Sequence, residues 1–343
     1  METFCVLPWH SLEVYPDLTT PCCLMRKNYN LDQVKKDLLA GKKTSACDAC
    51  WKLEGKGIES RRQIENKFLD FKLDRDLIDI VNECRSNEII PTMYQIATSN
   101  LCNQACVSCN SQYSTKWATL EKKLNLIPVK QWSTDINQLN INYKVAKRIN
   151  LVGGEPLFDP KSFKILQNLL DSRNTDCFIS FITNGSIEID QKYLKLLEKF
   201  SDVSFCLSID GIEKNFEYMR WPGKWNQLLK NLEIFKKLTD NISVSYTISS
   251  LNAAYYNDTV NWFKEQNLPY NHNIVHDPNW LSLSHSPEEL REISTCPVGL
   301  ASYCEVDFAN NLNVVREKVQ QQDQIKKINI RDYMPEVANI LFE

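Results

Sequence analysis

The stretch PTMYQIATSNLCNQACVSCNSQYSTKW, residues 91–117, decides the fold. Its first nine residues read as a strand, and the strand runs into a loop carrying Cys102, Cys106 and Cys109. A helix is expected from about Ser114. Zinc sites and disulfide frameworks usually arrange cysteines in even pairs, and three fit neither well. Three thiolates do fit a cubic four-iron cluster whose fourth iron stays open to another ligand.

Outward from this loop the chain alternates strand-like and helix-like segments. RINLVGG, CFISFITNG, DVSFCLSIDG, ISVSYTISS and YNHNIVHD read as the following strands. DPKSFKILQNLLDS, capped by Asp159, begins the run of helices, which continues through DQKYLKLLEKF, WNQLLKNLEIFKKL, YYNDTVNWFKEQN and SPEELREIS. Repeated strand–helix units predict a parallel sheet covered by helices, in an α/β fold. Six units make either an open doubly wound sheet or most of a barrel. In both, polar residues at the C-terminal ends of strands line the site. The polar turns fall there: GGEP (153–156), TNG (183–185) and SIDG (208–211).

Residues 1–89 read differently. NLDQVKKDLLAGKK is a short helix capped by Asn30, and SRRQIENKFLDFKLDRDLIDIVNECRS a longer, charged one. The segment is short of apolar residues for its size, so bound metal is expected to stabilise it. Cys5, Cys22, Cys47 and Cys50 supply four thiols, and their spacing alone suits tetrahedral zinc as well as iron–sulfur. The tail, 296–343, is expected to be helical and to pack back on the body.

Composition limits the function. Net charge is −3, which gives no footprint for nucleic acid. No apolar run reaches membrane-spanning length, and METFCVLPWHSLEVYPDL lacks a basic region followed by an apolar core, so neither a membrane nor a signal peptide is expected. A cytoplasmic location with thirteen reduced cysteines follows as the expectation, and clustered cysteines there point to metal or catalysis.

The three-cysteine loop together with GGEP, TNG and SIDG resembles the radical S-adenosylmethionine (SAM) superfamily over roughly residues 90–280. The resemblance implies a partial (β/α)6 barrel of TIM-like type over 90–295. It implies a catalytic [4Fe–4S] cluster on Cys102, Cys106 and Cys109, with SAM on the open iron. Reductive cleavage of SAM would give a 5′-deoxyadenosyl radical that takes hydrogen from a substrate. Many members carry an aromatic residue just before the third cysteine, where this chain has Ser108. For SAM, the backbones of Gly153 and Gly154 and the carboxylate of Glu155 suit its ammonium group. Ser208 and Arg220 suit its carboxylate, and Asn184 and Asn252 its ribose.

FCVLPWHSLEVYPDLTTPCC and CDACWKLEGKGIESRR (47–62) resemble the auxiliary-cluster segment of twitch-domain, SPASM-like radical SAM proteins. RDYMPEV (331–337) resembles their end. The resemblance turns the four N-terminal cysteines toward a second, auxiliary [4Fe–4S] cluster, with Cys22 favoured over Cys23 by position. The substrate, a peptide or a small metabolite, is expected at the barrel mouth facing that cluster. Net oxidation is the expected outcome, with an external electron donor such as flavodoxin or ferredoxin. The rivals are a redox-neutral epimerase or isomerase and a non-catalytic iron–sulfur or zinc protein. Cys206, facing the same side as Ser208, is a candidate hydrogen donor. His276 and Asp277 are candidate acid–base groups. Cys296 and Cys304 are candidates to touch the open end of the barrel or to add ligands.

Overall fold

The computed structural model describes residues 2–25, 29–68, 75–86, 89–297 and 312–343. Eight strands form one sheet in the order β2-β1-β3-β4-β5-β6-β7-β8. They are β1 Ser11–Tyr15, β2 Leu18–Thr20, β3 Met93–Ala97, β4 Arg148–Val152, β5 Phe178–Thr183, β6 Val203–Ser208, β7 Ile242–Ile248 and β8 Tyr270–Ile274. All neighbours are parallel except the β1–β2 hairpin. The last six are the strands read from the sequence. The first two add to them: β1 pairs in parallel with β3, Ser11 opposite Met93, so the sheet crosses residue 90 without a break.

Side-chain alternation decides between the two architectures. In β7 the sequence ISVSYTI buries every second residue, Ile242, Val244, Tyr246 and Ile248, and leaves Ser243, Ser245 and Thr247 half-buried on the other face. A sheet covered by helices on both faces needs near-continuous apolar runs. Here one face alone is apolar. On it Phe181 stacks on Phe205 and Phe205 on Phe235, with centroids 5.4 and 4.1 Å apart. Fully burying each such side chain is worth about 1.5–3 kcal/mol. The opposite face carries Asn150, Ser180, Ser204, Cys206, Ser208, Ser243 and Ser245, in register across β4 to β7. This is the polar lumen of a partial barrel.

The N-terminal part has a core of its own, built on Phe4, Val6, Leu7, Trp9, Leu38, Ile80 and Val81. It is better packed than its composition suggests, because residues from five separate segments converge on it. The long charged helix expected over 60–86 is two described helices, Arg61–Lys67 and Leu77–Ser86, with 69–74 outside the described residues. The first starts at a capping box in which Ser60 and Gln63 bond reciprocally. It lies under the lumen: Arg148 of β4 pairs with its Glu65 at 2.6 Å, and Phe68 meets Phe178 of β5 at 5.8 Å.

At the C-terminus, helices Leu312–Lys326 and Pro335–Phe342 bury Val315, Val319, Val337 and Leu341 against Val107, Tyr218, Met219 and Leu251. Among the described residues, no helix is long and apolar enough to cross a membrane.

Candidate active site

The loop after β3 is held from three sides. Its backbone runs beside 219–221, with Ala105 N–H donating to the Trp221 carbonyl at 2.7 Å and Val107 N–H to that of Met219 at 2.8 Å. Ser114, which caps the helix Thr115–Lys123 by accepting from Trp117 N–H, also donates to the Gln104 carbonyl at 2.5 Å. Trp117 Nε1 donates to the Cys106 carbonyl at 2.8 Å.

The GGEP turn is sewn to the same loop. Gly154 N–H donates to the Ser99 carbonyl at 2.8 Å and Glu155 N–H to that of Leu101 at 2.9 Å. This approach requires glycine. A Cβ on Gly153, whose φ is +134°, would lie 2.6 Å from the Ser99 oxygen, and one on Gly154 would lie 2.4 Å from that of Leu101. Gly154→Ala is therefore expected to push the two loops apart and to abolish SAM binding, as read by equilibrium dialysis. Affinity equal to wild type would show that the close approach is not needed.

The two loops enclose a pocket of about 300 Å³. Cys102, Cys106 and Cys109 line it, together with Gly153, Gly154, Asn184, Ser208 and Arg220. Burial holds the thiols protonated in the metal-free protein: Cys102 is pushed far up, Cys109 to about 12, and Cys106 upward. Metal binding must displace those protons. Positive charge opposes the shift at Cys106, from Arg220 and from Lys326. Arg220 pairs with the buried Asp210 at 2.8 Å, and its other terminal nitrogen stands 3.9 Å from the Cys106 sulfur. Asn184 donates to Asn103 at 2.8 Å and points the same amide nitrogen at the Cys102 sulfur, 4.0 Å away.

Two expected contacts are corrected by their hydrogen bonds. Glu155 is 1% exposed, and its carboxylate accepts from Thr183 Oγ1 at 2.6 Å, Asn184 N–H at 2.7 Å and Leu157 N–H at 3.0 Å. It ties TNG to GGEP behind the glycine wall and does not line the pocket. Burial pushes its carboxyl up to about 7 against the pull of these donors. Glu155→Ala strands three donors, and leaving each unsatisfied costs about 1–3 kcal/mol. A clearly lower urea midpoint is expected, and an unshifted one would contradict this role. Asn252 is fully buried. It accepts from Ser249 N–H at 2.7 Å and donates to the carbonyls of Asp210 at 2.7 Å and Thr247 at 2.9 Å, which leaves nothing for a ribose.

Of the remaining candidates, Cys206 sits half-buried on the lumen face opposite Ser243, outside the pocket lining. His276 and Asp277 are exposed beyond the end of β8, away from the cysteines. Cys296 packs on the core, and Cys304 lies outside the described residues. The sequence reading missed Asp210, although it stands inside SIDG. It also missed Gln104, whose amide bonds Ser186 at 2.9 Å and which accepts from the Cys106 thiol at 3.4 Å.

A second set of thiols gathers at the other end of the strands. Cys5, Cys22, Cys47 and Cys50 line one small, closed, largely apolar cavity of about 20 Å³, with Arg62 at its wall. The antiparallel β2 carries the chain back to Thr20 opposite Glu13, which brings Cys22 toward the N-terminal end of the sheet. The expected arrangement, with this group facing the barrel mouth, is thereby corrected. Cys23 turns away, and its sulfur accepts a hydrogen bond from Arg61. Among the described residues no three His, Cys, Asp or Glu side chains converge on a point as a single ion demands. The donor sets ring a space, and both fit a cluster by chemistry: three thiols with an open side, and four thiols in an apolar wall.

Residues 96–263 match the family described as the Radical SAM superfamily. The matched segment is similar to that family over 168 of the chain's 343 residues. Similar solved structures include anSMEcpe with bound AdoMet, 20% identical over 57% of this chain and 51% of that one, with a TM-score of 0.43. Another is SuiB of Streptococcus suis bound to S-adenosylmethionine, 11% identical over 88% of this chain and 64% of that one, with a TM-score of 0.37. This chain thus spans between half and two thirds of their length. No curated protein matches it. The matched segment begins within β3 and ends in the helix Tyr256–Glu265, so it contains all three pocket cysteines and GGEP but none of the four N-terminal cysteines.

Proposed function

We propose that this protein is a radical SAM oxidoreductase that takes a hydrogen atom from a peptide or a small metabolite. Net oxidation is the favoured outcome, with a second, auxiliary [4Fe–4S] cluster held by Cys5, Cys22, Cys47 and Cys50 in a twitch-like module. The observation that carries the reading is the convergence of three thiols, a side-chain-free glycine wall and one guanidinium on a single pocket.

Cys102, Cys106 and Cys109 would hold a four-iron cluster, which when bound would supply one-electron reduction of SAM and so the radical chemistry. The chain's own residues bind, orient and shield. The glycine wall lets an amino acid moiety approach the loop backbone. Arg220, fixed by Asp210, offers a charge-assisted bond to a carboxylate. Asn184 and Ser208 are placed for hydroxyl or amine hydrogens. The serines and asparagine of the lumen give a polar substrate hydrogen-bond partners without a free charge, and the Arg61–Lys67 helix shields the floor from water. The four-cysteine cage, at the far end of strands about 17 Å long, is separate from the reacting pocket and suited to moving electrons. An external flavodoxin- or ferredoxin-type donor and a cytoplasmic setting complete the proposal.

The test is anaerobic turnover: reconstituted protein with a strong reductant and SAM should release methionine and 5′-deoxyadenosine. Intact SAM after prolonged incubation of iron-loaded protein would reject the reading.

A further inference from the structure

The C-terminal helix Leu312–Lys326 does more than cover apolar surface. Near its end it docks on the back of the cysteine loop, on the side away from the pocket. Gln322 Nε2 donates to the Val107 carbonyl at 3.3 Å, and Ile325 packs with Ala105, Cys109 and Trp117. Asp323 accepts from the Tyr218 hydroxyl at 2.9 Å and from Ile330 N–H at 2.8 Å, which fixes the helix end.

Lys326 lies at this junction and is 4% exposed. Its ammonium donates to Gln322 Oε1 at 2.7 Å and stands 4.9 Å from the centroid of Trp117, the residue whose indole N–H holds the Cys106 carbonyl. A buried cation is costly unless something compensates it. An amide oxygen and an aromatic face compensate only in part. Burial pushes the Lys326 amine down to about 7, and Cys106, Asp323 and Cys109 pull it back up. Asp323 is already engaged by Tyr218 and Ile330. When Cys106 and Cys109 hold metal they are thiolates, and these are the charges left to face Lys326, while Arg220 approaches Cys106 from the pocket side. The loop is thus held between two cations, one in the matched segment and one from the tail.

We infer that the C-terminal helix is a positioning element for the catalytic cysteine loop and that Lys326 supplies the positive charge behind its thiolates, stabilising the reduced state of the group they hold. The inference rests on the reading that Cys102, Cys106 and Cys109 hold a four-iron cluster. Reduction adds one negative charge, and a nearby fixed cation in a low-dielectric site favours the more negative state.

The experiment is an anaerobic redox titration of the reconstituted full chain, followed by electron paramagnetic resonance. The signal used is the one lost when Cys102, Cys106 and Cys109 are all alanine. Lys326→Met and Lys326→Gln, two neutral variants of similar length, are compared with Lys326→Arg, and iron is counted in each. Both neutral variants should keep their iron while the equilibrium constant for reduction falls about tenfold, a midpoint lower by about 59 mV for one electron. Lys326→Arg should stay near wild type. Unchanged midpoints in iron-replete Met and Gln variants would overturn the inference, and so would an equal drop in Lys326→Arg, since packing would then be the cause. Loss of iron in both neutral variants but not in Lys326→Arg would support a charge needed even to hold the cluster. Iron content unaffected by the triple-alanine change would remove the cluster reading itself, and the inference with it. The separate iron count tells that failure from the others.

Discussion

With Cys102, Cys106 and Cys109 all replaced by alanine, SAM cleavage should fall to the level seen without protein. No other described thiol lines the pocket, so no substitute ligand set can assemble there. The fold should survive. The loop is held by Ala105 and Val107 backbone bonds to 219–221 and by Trp117, none of which uses a cysteine side chain. Truncating three half-buried thiols should cost no more than the usual 0.5–3 kcal/mol per site. Circular dichroism should therefore match wild type while 5′-deoxyadenosine disappears from the chromatogram. Cleavage at the normal rate in the triple variant would falsify the assignment of this loop.

The same variant exposes the N-terminal cage. Stripped of the catalytic site, the chain should still bind about four irons and four sulfides, the complement of one cubic cluster. Adding Cys47→Ala and Cys50→Ala should remove nearly all of that iron and lower the melting temperature. In the metal-free protein burial pushes the Cys47 thiol up to about 11 and the Cys5 thiol higher, so metal must displace protons from these two. A protein altered only at Cys47 and Cys50 should still cleave SAM but yield no product, because the cage and the pocket lie at opposite ends of the sheet. One zinc and no iron in the triple-alanine protein would turn the cage into a structural zinc module. That outcome would also remove the argument for net oxidation and put the redox-neutral reading ahead.

What the sequence revealed depended on how local the signal was. The strands β3 to β8 and the helices between them were legible because each carries its own period, as in ISVSYTI, and the three-cysteine loop because its spacing is compact. β1 was not legible as part of the main sheet, since its pairing with β3 is a contact between segments 82 residues apart. The glycines of GGEP announced a close backbone approach, but the direction of the Glu155 carboxylate is set by Thr183 and Asn184 on another strand. Asn252 looked like a strand-end ligand, and its use as an internal staple depends on Asp210, 42 residues away. Cys22 and Cys23 could be told apart only by which way the returning chain turns each side chain. Lys326, in the polar run QQQDQIKK, reads as a solvated residue until the helix is docked.

The pairing of β1 with β3 also sets a timetable. All four cage cysteines lie within the first fifty residues, and β3 begins at Met93. At a synthesis rate of about 5–20 residues per second, a growing chain waits about 4–16 s between making β1 and making its parallel partner. During that interval β2 shields one edge of β1 and the other is open to any stray strand. Metal captured early by the nascent N-terminus would hold β1 ready as a template on which the rest of the sheet is laid down as it emerges. Were the cage filled with iron as proposed, a cell short of iron would leave the wait unchanged and the template loose.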